Sequence, residues 1–475
     1  MGRALAASRA GAPAAAPGER FVLGAVLAAE ALLVAWAALG AGFAAAAATA
    51  AACVFLLAAF RAPGVAWAVT FLSVPLSMER TLPAGGAISV PSEPLILLAL
   101  LGWGLRLLLT GPPRLRPSPM HAPLAALAIA ALVSIAGSRF PVEGAKAWAV
   151  TAGYVAFGYL YLAASPCDPA RRERWVRIVA LTGAVWGLYG AIRVLLLGVS
   201  LGHAYGAARP FFTEHGTYGA YLGMLLPIPL FEALERRGRA RLWFALAVLA
   251  IALGLALSFT RAAWVATAVS TPVALAIWAG SRRVWRALLL PVLLGLGIAI
   301  AIAGVGAGRN LARHAGTVVE TTNVSNLERL NRWMAAWEMT KDRPWLGVGY
   351  GAYADTYPAY RRKAIVTEQS GVRFGVHSEP LRILCETGAL GAACMLWFLA
   401  AAGACGVRAF RRATDPAAGR LALAVLAGLA SYAVHGVFNS YLGIDKISAP
   451  FWLGLGALVA LAPSPRQGAE RDRAP

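Results

Sequence analysis

From residue 21 to residue 463 the chain returns repeatedly to apolar stretches of bilayer length, and this recurrence constrains the fold more than any other feature. A helix rises about 1.5 Å per residue, so the roughly 30 Å hydrocarbon core of a membrane takes about 20 apolar residues. The runs give candidate spans at 21–40, 41–60, 63–78, 93–110, 122–138, 145–164, 175–199, 215–234, 240–258, 261–279, 284–306, 380–405, 418–438 and 446–463. Pro75 interrupts the short third run, and only Gly40 and Gly42 separate the first two, so the expectation is about 12–14 transmembrane helices. Composition agrees: 59% of the 475 residues are hydrophobic and 14% charged, against about 25% charged in a soluble domain. The fold class expected is therefore all-α and polytopic. The first run follows an Arg-bearing tail without an obvious cleavage site, and is read as a retained helix.

Orientation follows from the basic residues, which collect in cytoplasmic loops. With the N-terminus inside, the inner segments are the N-terminal tail, Arg61, PPRLRP (112–117), ARRERWVR (170–177), ERRGRAR (235–241), SRRVWR (281–286), VRAFRR (407–412) with Arg420, and the C-terminal tail. The short outer loops carry only Arg80, Arg139, Lys146, Arg209, Arg261 and Lys446. Most of the net charge of +21 is thereby explained as topology, and no nucleic-acid partner is expected. Cys53, Cys385, Cys394 and Cys405 fall in spans and Cys167 in an inner loop, so no disulfide framework is expected. The organisation expected is spans with short loops over 1–306, a large periplasmic loop over 307–379, C-terminal spans over 380–463, and a cytoplasmic tail over 464–475.

Within the large outer loop, SNLERLNRWMAAWEMTKDRPW reads as an amphipathic helix. Ser325 and Glu328 have capping-box spacing, Leu327, Leu330, Met334 and Trp337 recur at helical spacing, and Pro344 ends the helix. LGVGYGAY (346–353) reads as a glycine-rich turn. It lacks the preceding strand and the following Gly-Lys-Ser/Thr of a nucleotide loop. A short tyrosine-rich helix is expected over about 352–363. Trp333, Trp337 and Trp345 either pack the loop on the bilayer surface or stack on sugar rings.

Ionisable residues gather on the outer face. Arg209 lies just before the eighth span, and Arg261 in the tight turn LSFTRAAWVA (257–266). A cation in that position either snorkels to lipid phosphates or binds an anion held inside the protein. The outer Asp residues (Asp342, Asp355, Asp445) are isolated, and the outer histidines (His203, His215, His314, His377) lack metal-ligand spacing, so no metal or other cofactor is expected. Arginine would then stabilise any anionic leaving group. His377 immediately precedes a helix whose Ser378 has N-cap chemistry and whose Pro380 suits a first turn. The positive end of that helix disfavours imidazolium, leaving a neutral base able to accept a hydroxyl proton; an interfacial or capping histidine is the plainer reading. Arg382 with Glu386, and Glu328 with Arg332, have the spacing of helix-face ion pairs.

The order of RPFFTEHGTYGAYLGMLLP, SFTRAAWVA, RLNRWMAAWEMTKDRPWLGVGYGAY and HSEPLRILCETGALG resembles the O-antigen ligase/polymerase superfamily over about residues 205–450. The resemblance implies a GT-C-type, metal-independent, inverting glycosyltransferase of the bacterial inner membrane, with its site facing the periplasm. Its donor would be an undecaprenyl-diphosphate-linked glycan, and its acceptor lipid A–core or a growing glycan, with membrane lipids around it. His377 matches the family histidine proposed to activate the acceptor hydroxyl. Arg209 and Arg261 match the arginines that would hold the diphosphate, and Arg329 or Arg332 matches the loop arginine. Glu379 and Arg382 stand as supporting residues. His-Ser-Glu here replaces the more usual His-Asn. Ligation to lipid A–core, repeat-unit polymerisation and glycan transfer to protein share this chemistry. A transporter or lipid-glycan flippase is the alternative from another class, although no internal repeat is seen.

Overall fold

The computed structural model describes residues 42–81, 87–111, 113, 115–165, 167–280, 324–361, 375–413 and 415–462. The expected spans 21–40 and 284–306, and the loop stretches 307–323 and 362–374, lie outside the described residues. The expected spans on described residues are mainly helical, but 63–78 ends in a 3-10 turn and the first residue of a strand, and 215–234 is divided between two helices. Among the described residues, six helices are long and apolar enough to cross a membrane: Ser92–Thr110, Pro169–Leu197, Gly238–Leu257, Arg261–Trp278, Glu379–Arg411 and Pro416–Gly436. The chain is an all-α polytopic membrane protein.

The chain divides into two compact units. The first comprises 1–70 and 94–114. In it, α1 (Phe43–Arg61) packs against the later part of α3 (Ser92–Thr110), where Arg106 Nη1 donates to the Phe60 carbonyl (3.3 Å).

The second unit, 71–93 and 115–475, carries the rest. Helix α2 (Pro63–Ser73) runs into it and ends in a 3-10 turn over Val74–Leu76, where Pro75 removes a backbone donor. The expected outer loop 77–94 contains a small antiparallel hairpin, β1 (Met78–Thr81) with β2 (Ala87–Val90), an addition to the all-α expectation. Helices α4 (His121–Ala136) and α5 (Pro141–Tyr154) follow, and α5 continues through a π-helical turn at Val155–Leu160.

Helix α6 (Pro169–Leu197) is N-capped by Asp168, whose carboxylate accepts from the Arg171 amide (2.8 Å). It precedes α7 (Leu201–Ala207), α8 (His215–Leu225), α9 (Pro227–Glu235), α10 (Gly238–Leu257) and α11 (Arg261–Ala279). Gly187 of α6 and Gly254 of α10 bring these two backbones so close that a Cβ on either would overlap the other helix. Small residues allow this approach in membranes, where the attraction between helices is packing rather than water exclusion. Helices α12 (Val324–Asp342) and α13 (Tyr353–Tyr360) come next, followed by α14 (Glu379–Arg411), α15 (Pro416–Gly436) and α16 (Asp445–Leu461). Helix α15 is buried along most of its length among α8, α11, α14 and α16.

At one end of this unit the basic segments are more than topological markers. Arg236 pairs with both Glu173 and Glu232, Arg420 reaches Glu232 (3.2 Å), and Arg172 pairs with Asp415. These pairs join α6, α9 and α15.

Candidate active site

At the other end, the 324–361 segment is anchored by a break in α14. Gly388 sits inside that helix with φ 64° and ψ −166°, which interrupts the hydrogen-bond ladder. An interrupted helix leaves carbonyls and amides without helical partners. The chain leaving α12 supplies them. Val348 N donates to the Cys385 carbonyl (2.9 Å) and Gly349 N to that of Glu386 (3.0 Å). Ala389 N donates to the Pro344 carbonyl (2.7 Å) and Leu390 N to that of Trp345 (3.3 Å). Ser134 of α4 adds a hydroxyl bond to the Glu386 carbonyl (2.6 Å).

Two glycines make this joint possible. Gly347 has φ 70°, and a Cβ there would overlap the Glu386 carbonyl; one on Gly388 would overlap that of Trp345. The glycine-rich turn and the Glu-x-Gly of α14 are thus two halves of one backbone joint. Gly388→Ala is expected to destabilise the protein by about 3 kcal/mol, from left-handed strain and overlap together. A lower unfolding midpoint in detergent would show this, and a midpoint equal to wild type would refute it.

Beside the joint lies a buried ion triplet. Arg382 pairs with Glu379 and with Glu386 (2.7 Å), and its guanidinium lies 5.8 Å from the Tyr350 ring centroid. Glu386 also accepts from the Tyr353 amide (3.3 Å). The expected Arg382–Glu386 pair is present, but it is buried and ties α14 to the start of α13 rather than lying on an open helix face. Arg382 and Tyr350 border a cavity of about 390 Å³ whose other walls, including Leu124, Ala128, Trp148 and Trp452, are largely apolar.

Helix α12 packs by a different face from the one its sequence suggests. Leu330 and Trp337 are 46% and 52% exposed, whereas Asn331, Arg332, Ala335, Ala336 and Met339 are buried. The small residues let α12 close on Tyr353, Tyr357, Val376 and Cys385. Ser325 is the second residue of the described helix, and its side chain lies outside the described residues. The side chain of Glu328, expected to pair with Arg332, lies outside the described residues. Arg332 is 1% exposed, with its guanidinium 5.3 Å from the Tyr357 ring and Nη1 donating to the Gly375 carbonyl (3.5 Å).

One turn earlier on the same helix, Arg329 enters a different neighbourhood. Arg261, Tyr205, Glu214 and Tyr441 all lie within electrostatic reach of it. Burial pushes the Arg329 guanidinium below its ordinary pKa, and the Arg261 charge adds to that shift. Arg261 is the first residue of α11 and follows a tight turn in which Phe259 takes φ 51°. That turn is tied to α8 by Thr260 Oγ1, which donates to the His215 carbonyl (2.8 Å). The His215 ring stacks on Tyr205 at 3.9 Å. Two guanidiniums from distant segments therefore share a partly buried site. Like charges oppose each other there unless an anion intervenes.

Arg209 sits on the loop entering α8. Its side chain is exposed, Nε donates to the Thr213 carbonyl (3.4 Å), and its own carbonyl accepts the Tyr189 hydroxyl (2.9 Å).

His377 immediately precedes Ser378, the N-cap residue of α14. Its carbonyl accepts Trp333 Nε1 (3.2 Å), one turn beyond Arg329, and its φ of 57° places a non-glycine residue in the left-handed region. Such strain persists only where the surroundings impose it. Ser378 occupies the N-cap position of α14 but makes no side-chain cap bond; its carbonyl accepts the Arg382 amide (2.9 Å). Ser378 is buried.

Sequence reasoning did not single out Glu214, Tyr205, His435 or Tyr441. His435, Asn439 and Tyr441 close α15 within HGVFNSYLGIDK, a polar cluster at the end of an apolar span. That local contrast was the available signal. Among the described residues, no three His, Cys, Asp or Glu side chains are grouped as a cation site would need.

These features define a polytopic helical membrane protein whose polar groups are assembled at one end of a helix bundle by a loop-borne helix pair. Residues 245–396, less than half of the chain, match the family model described as O-antigen ligase, a match that supports the O-antigen ligase/polymerase superfamily. The match spans Arg261, Arg329, Arg332, His377, Glu379 and Arg382, while Arg209 precedes it. It supports glycosyltransferase activity of the O-antigen ligase family in general, with a lipid-linked glycan and an acceptor as substrates. No curated protein matches the chain.

Proposed function

We propose that the protein is an inner-membrane O-antigen ligase. It transfers a glycan from undecaprenyl diphosphate to lipid A–core at the periplasmic face. The observation that carries this reading is the convergence of Arg261 and Arg329 beside the helix that holds His377 through Trp333. Paired guanidiniums suit a diphosphate, whose charge grows as it leaves. Arg209, exposed at the entrance to α8, joins them when the donor is bound. Arg332 instead belongs to the support of the 375–377 segment.

In the reaction, an acceptor sugar hydroxyl attacks the anomeric carbon and the bond from that carbon to the diphosphate oxygen breaks. Configuration inverts, the hydroxyl proton passes to the neutral His377 imidazole, and undecaprenyl diphosphate departs carrying the bond electrons. The charge is met by arginine side chains already in place. The apolar cavity beside Tyr350 is suited to hydrocarbon, in keeping with a lipid-borne substrate.

Arg261→Ala and Arg329→Ala are each expected to raise the donor KM by about 10- to 100-fold, since a hydrogen bond to a charged group contributes about 1.5–3 kcal/mol. Transfer by purified protein checks this, and unchanged donor kinetics in both variants would remove the arginines from the site. The surface glycans of a deletion strain test the acceptor. An intact core without any O-antigen means ligation, whereas a core bearing a single repeat unit means polymerisation and overturns the ligase assignment. Failure of the purified protein to transfer glycan would favour the transporter class.

A further inference from the structure

The apolar stripe that marks α12 as a helix is turned outward. Leu330, Met334 and Trp337 recur along one side of it; Leu330 and Trp337 are exposed and Met334 is half-buried. The side that packs carries Asn331, Arg332, Ala335, Ala336 and Met339 instead. The turn after the helix adds Trp345, 74% exposed, and Leu346. Trp333 does not belong to this surface, since its indole reaches the His377 carbonyl. A contiguous outward face of large apolar and aromatic side chains calls for a partner.

Two spans fix where this face lies. In α14, residues 389–407 carry no charge. At about 1.5 Å per residue they reach about 28 Å, close to the roughly 30 Å hydrocarbon core of a bilayer. The charged Glu379, Arg382 and Glu386 precede that stretch, so the break at Gly388 marks the level at which α14 leaves hydrocarbon. At that level Ala389 N donates to the Pro344 carbonyl and Leu390 N to that of Trp345. The second span is α4, which closes at Gly137. Arg343 Nη1 donates to the Gly137 carbonyl (2.8 Å), and Ser138 Oγ to that of Val348 (3.0 Å). Residues 343–348 are thereby pinned to the ends of two membrane helices, at one boundary of the bilayer. Leu390, Leu396 and Trp397 of α14 are exposed, which for a spanning helix means exposed to lipid, and Trp345 meets α14 at the first of them.

The chemistry of the face suits that boundary. A tryptophan ring is apolar while its N–H can meet headgroups, so the residue collects at this depth. Lys341 and Arg343 are exposed at the same end of α12, where cations reach headgroup phosphates. The acidic groups beside them are engaged: Glu338 pairs with Lys341 (2.5 Å), and Asp342 accepts the Tyr360 hydroxyl (2.6 Å). We propose that Leu330, Met334, Trp337, Trp345 and Leu346 form a lipid-docking face by which α12 rests on the headgroup boundary of the bilayer. The same helix carries Arg329 and, through Trp333, holds the backbone at His377. Lipid contact therefore sets the position of both.

The test uses the full chain with Cys53, Cys167 and Cys394 replaced by alanine, in nanodiscs of phosphatidylethanolamine and phosphatidylglycerol. The buried Cys385 and Cys405 stay. A bimane label is placed in turn on Leu330→Cys, Trp337→Cys, Trp345→Cys and Arg361→Cys, the last exposed at the end of α13. Quenching by a lipid with a nitroxide near the head of its acyl chain is compared with quenching by iodide in water. The first three labels are expected to emit at shorter wavelength, to be quenched by the lipid nitroxide and to be shielded from iodide, and the fourth to behave in the opposite way. Labels on the face that iodide reaches and lipid nitroxide does not would overturn the proposal. Shielding that arises only on adding a glycan would make the face a sugar platform and overturn it equally. If Trp345→Cys disturbs the joint and does not fold, the exposed Leu330 and Trp337 positions give the same reading. For the consequence, Trp337→Glu is expected to slow glycan transfer in the nanodiscs and Trp337→Phe to keep it; equal transfer by both would remove lipid contact from the positioning of the site. Absence of transfer by the unsubstituted chain would count against the functional reading alone, because the label readout does not depend on activity.

Discussion

His377→Ala is expected to lower the rate of glycan transfer by about a thousandfold, within the range that a positioned general base contributes. The substitution removes the imidazole but keeps a residue with a Cβ at φ 57°, so the left-handed strain remains in the variant. His377→Gly relieves that strain and removes the same imidazole. Both variants must lose transfer if the ring performs the chemistry. Single-turnover assays with a polyprenyl-diphosphate glycan distinguish the cases. An active glycine variant beside an inactive alanine variant would mean that the strained backbone, not the imidazole, is what the reaction needs. A fully active alanine variant would end the assignment of His377 as base.

Arg382→Met is expected to cost about 3–5 kcal/mol, at least as much as Gly388→Ala. The wild-type guanidinium neutralises both Glu379 and Glu386, and all three residues are largely buried. Methionine fills similar volume but leaves two carboxylates facing each other with no cation between them. Adding Glu379→Gln and Glu386→Gln to the same chain should recover most of the loss, because the uncompensated charge is then gone. The midpoint of thermal unfolding in detergent measures both steps. A single variant that unfolds at the wild-type temperature would show that the triplet does not support the joint between α12–α13 and α14.

The contrast between these two substitutions separates chemistry from scaffold within one stretch of sequence. GVHSEPLRILCETGALG, residues 375–391, holds a candidate base at its start and a buried ion triplet just behind it. The ion pair was legible from the four-residue spacing of Arg382 and Glu386. Its purpose was not, because the amide that Glu386 accepts belongs to Tyr353, far away in sequence. The glycines of LGVGYGAY were legible as a turn and could be separated from a nucleotide loop. That they exist to admit the carbonyl backbone of a broken helix depends on Gly388, and only the fold brings that residue to them.

The face of α12 shows the same division. Spacing pointed to Leu327, Leu330, Met334 and Trp337, the larger apolar residues. The structure leaves Leu330 and Trp337 exposed and buries Ala335, Ala336 and the Arg332 side chain. Hydrophobic periodicity identifies the helix, but the face it buries depends on how closely its partners approach. Here the partners are the tyrosines of α13 and the segment around Val376, which require small residues opposite them.

By itself the sequence determined that the chain is a helical membrane protein, and where its helices lie, because a bilayer imposes a length and polarity on each span that can be read locally. The resemblance read from its motifs is supported by the O-antigen ligase family match over residues 245–396. Tertiary structure puts Arg329 within electrostatic reach of Arg261 and packs Arg332 against the Tyr357 ring and the Gly375 carbonyl. Those outcomes depend on approach between segments tens to hundreds of residues apart. Burial and charge at such meeting points are properties of the assembled fold and leave no periodic trace along the chain.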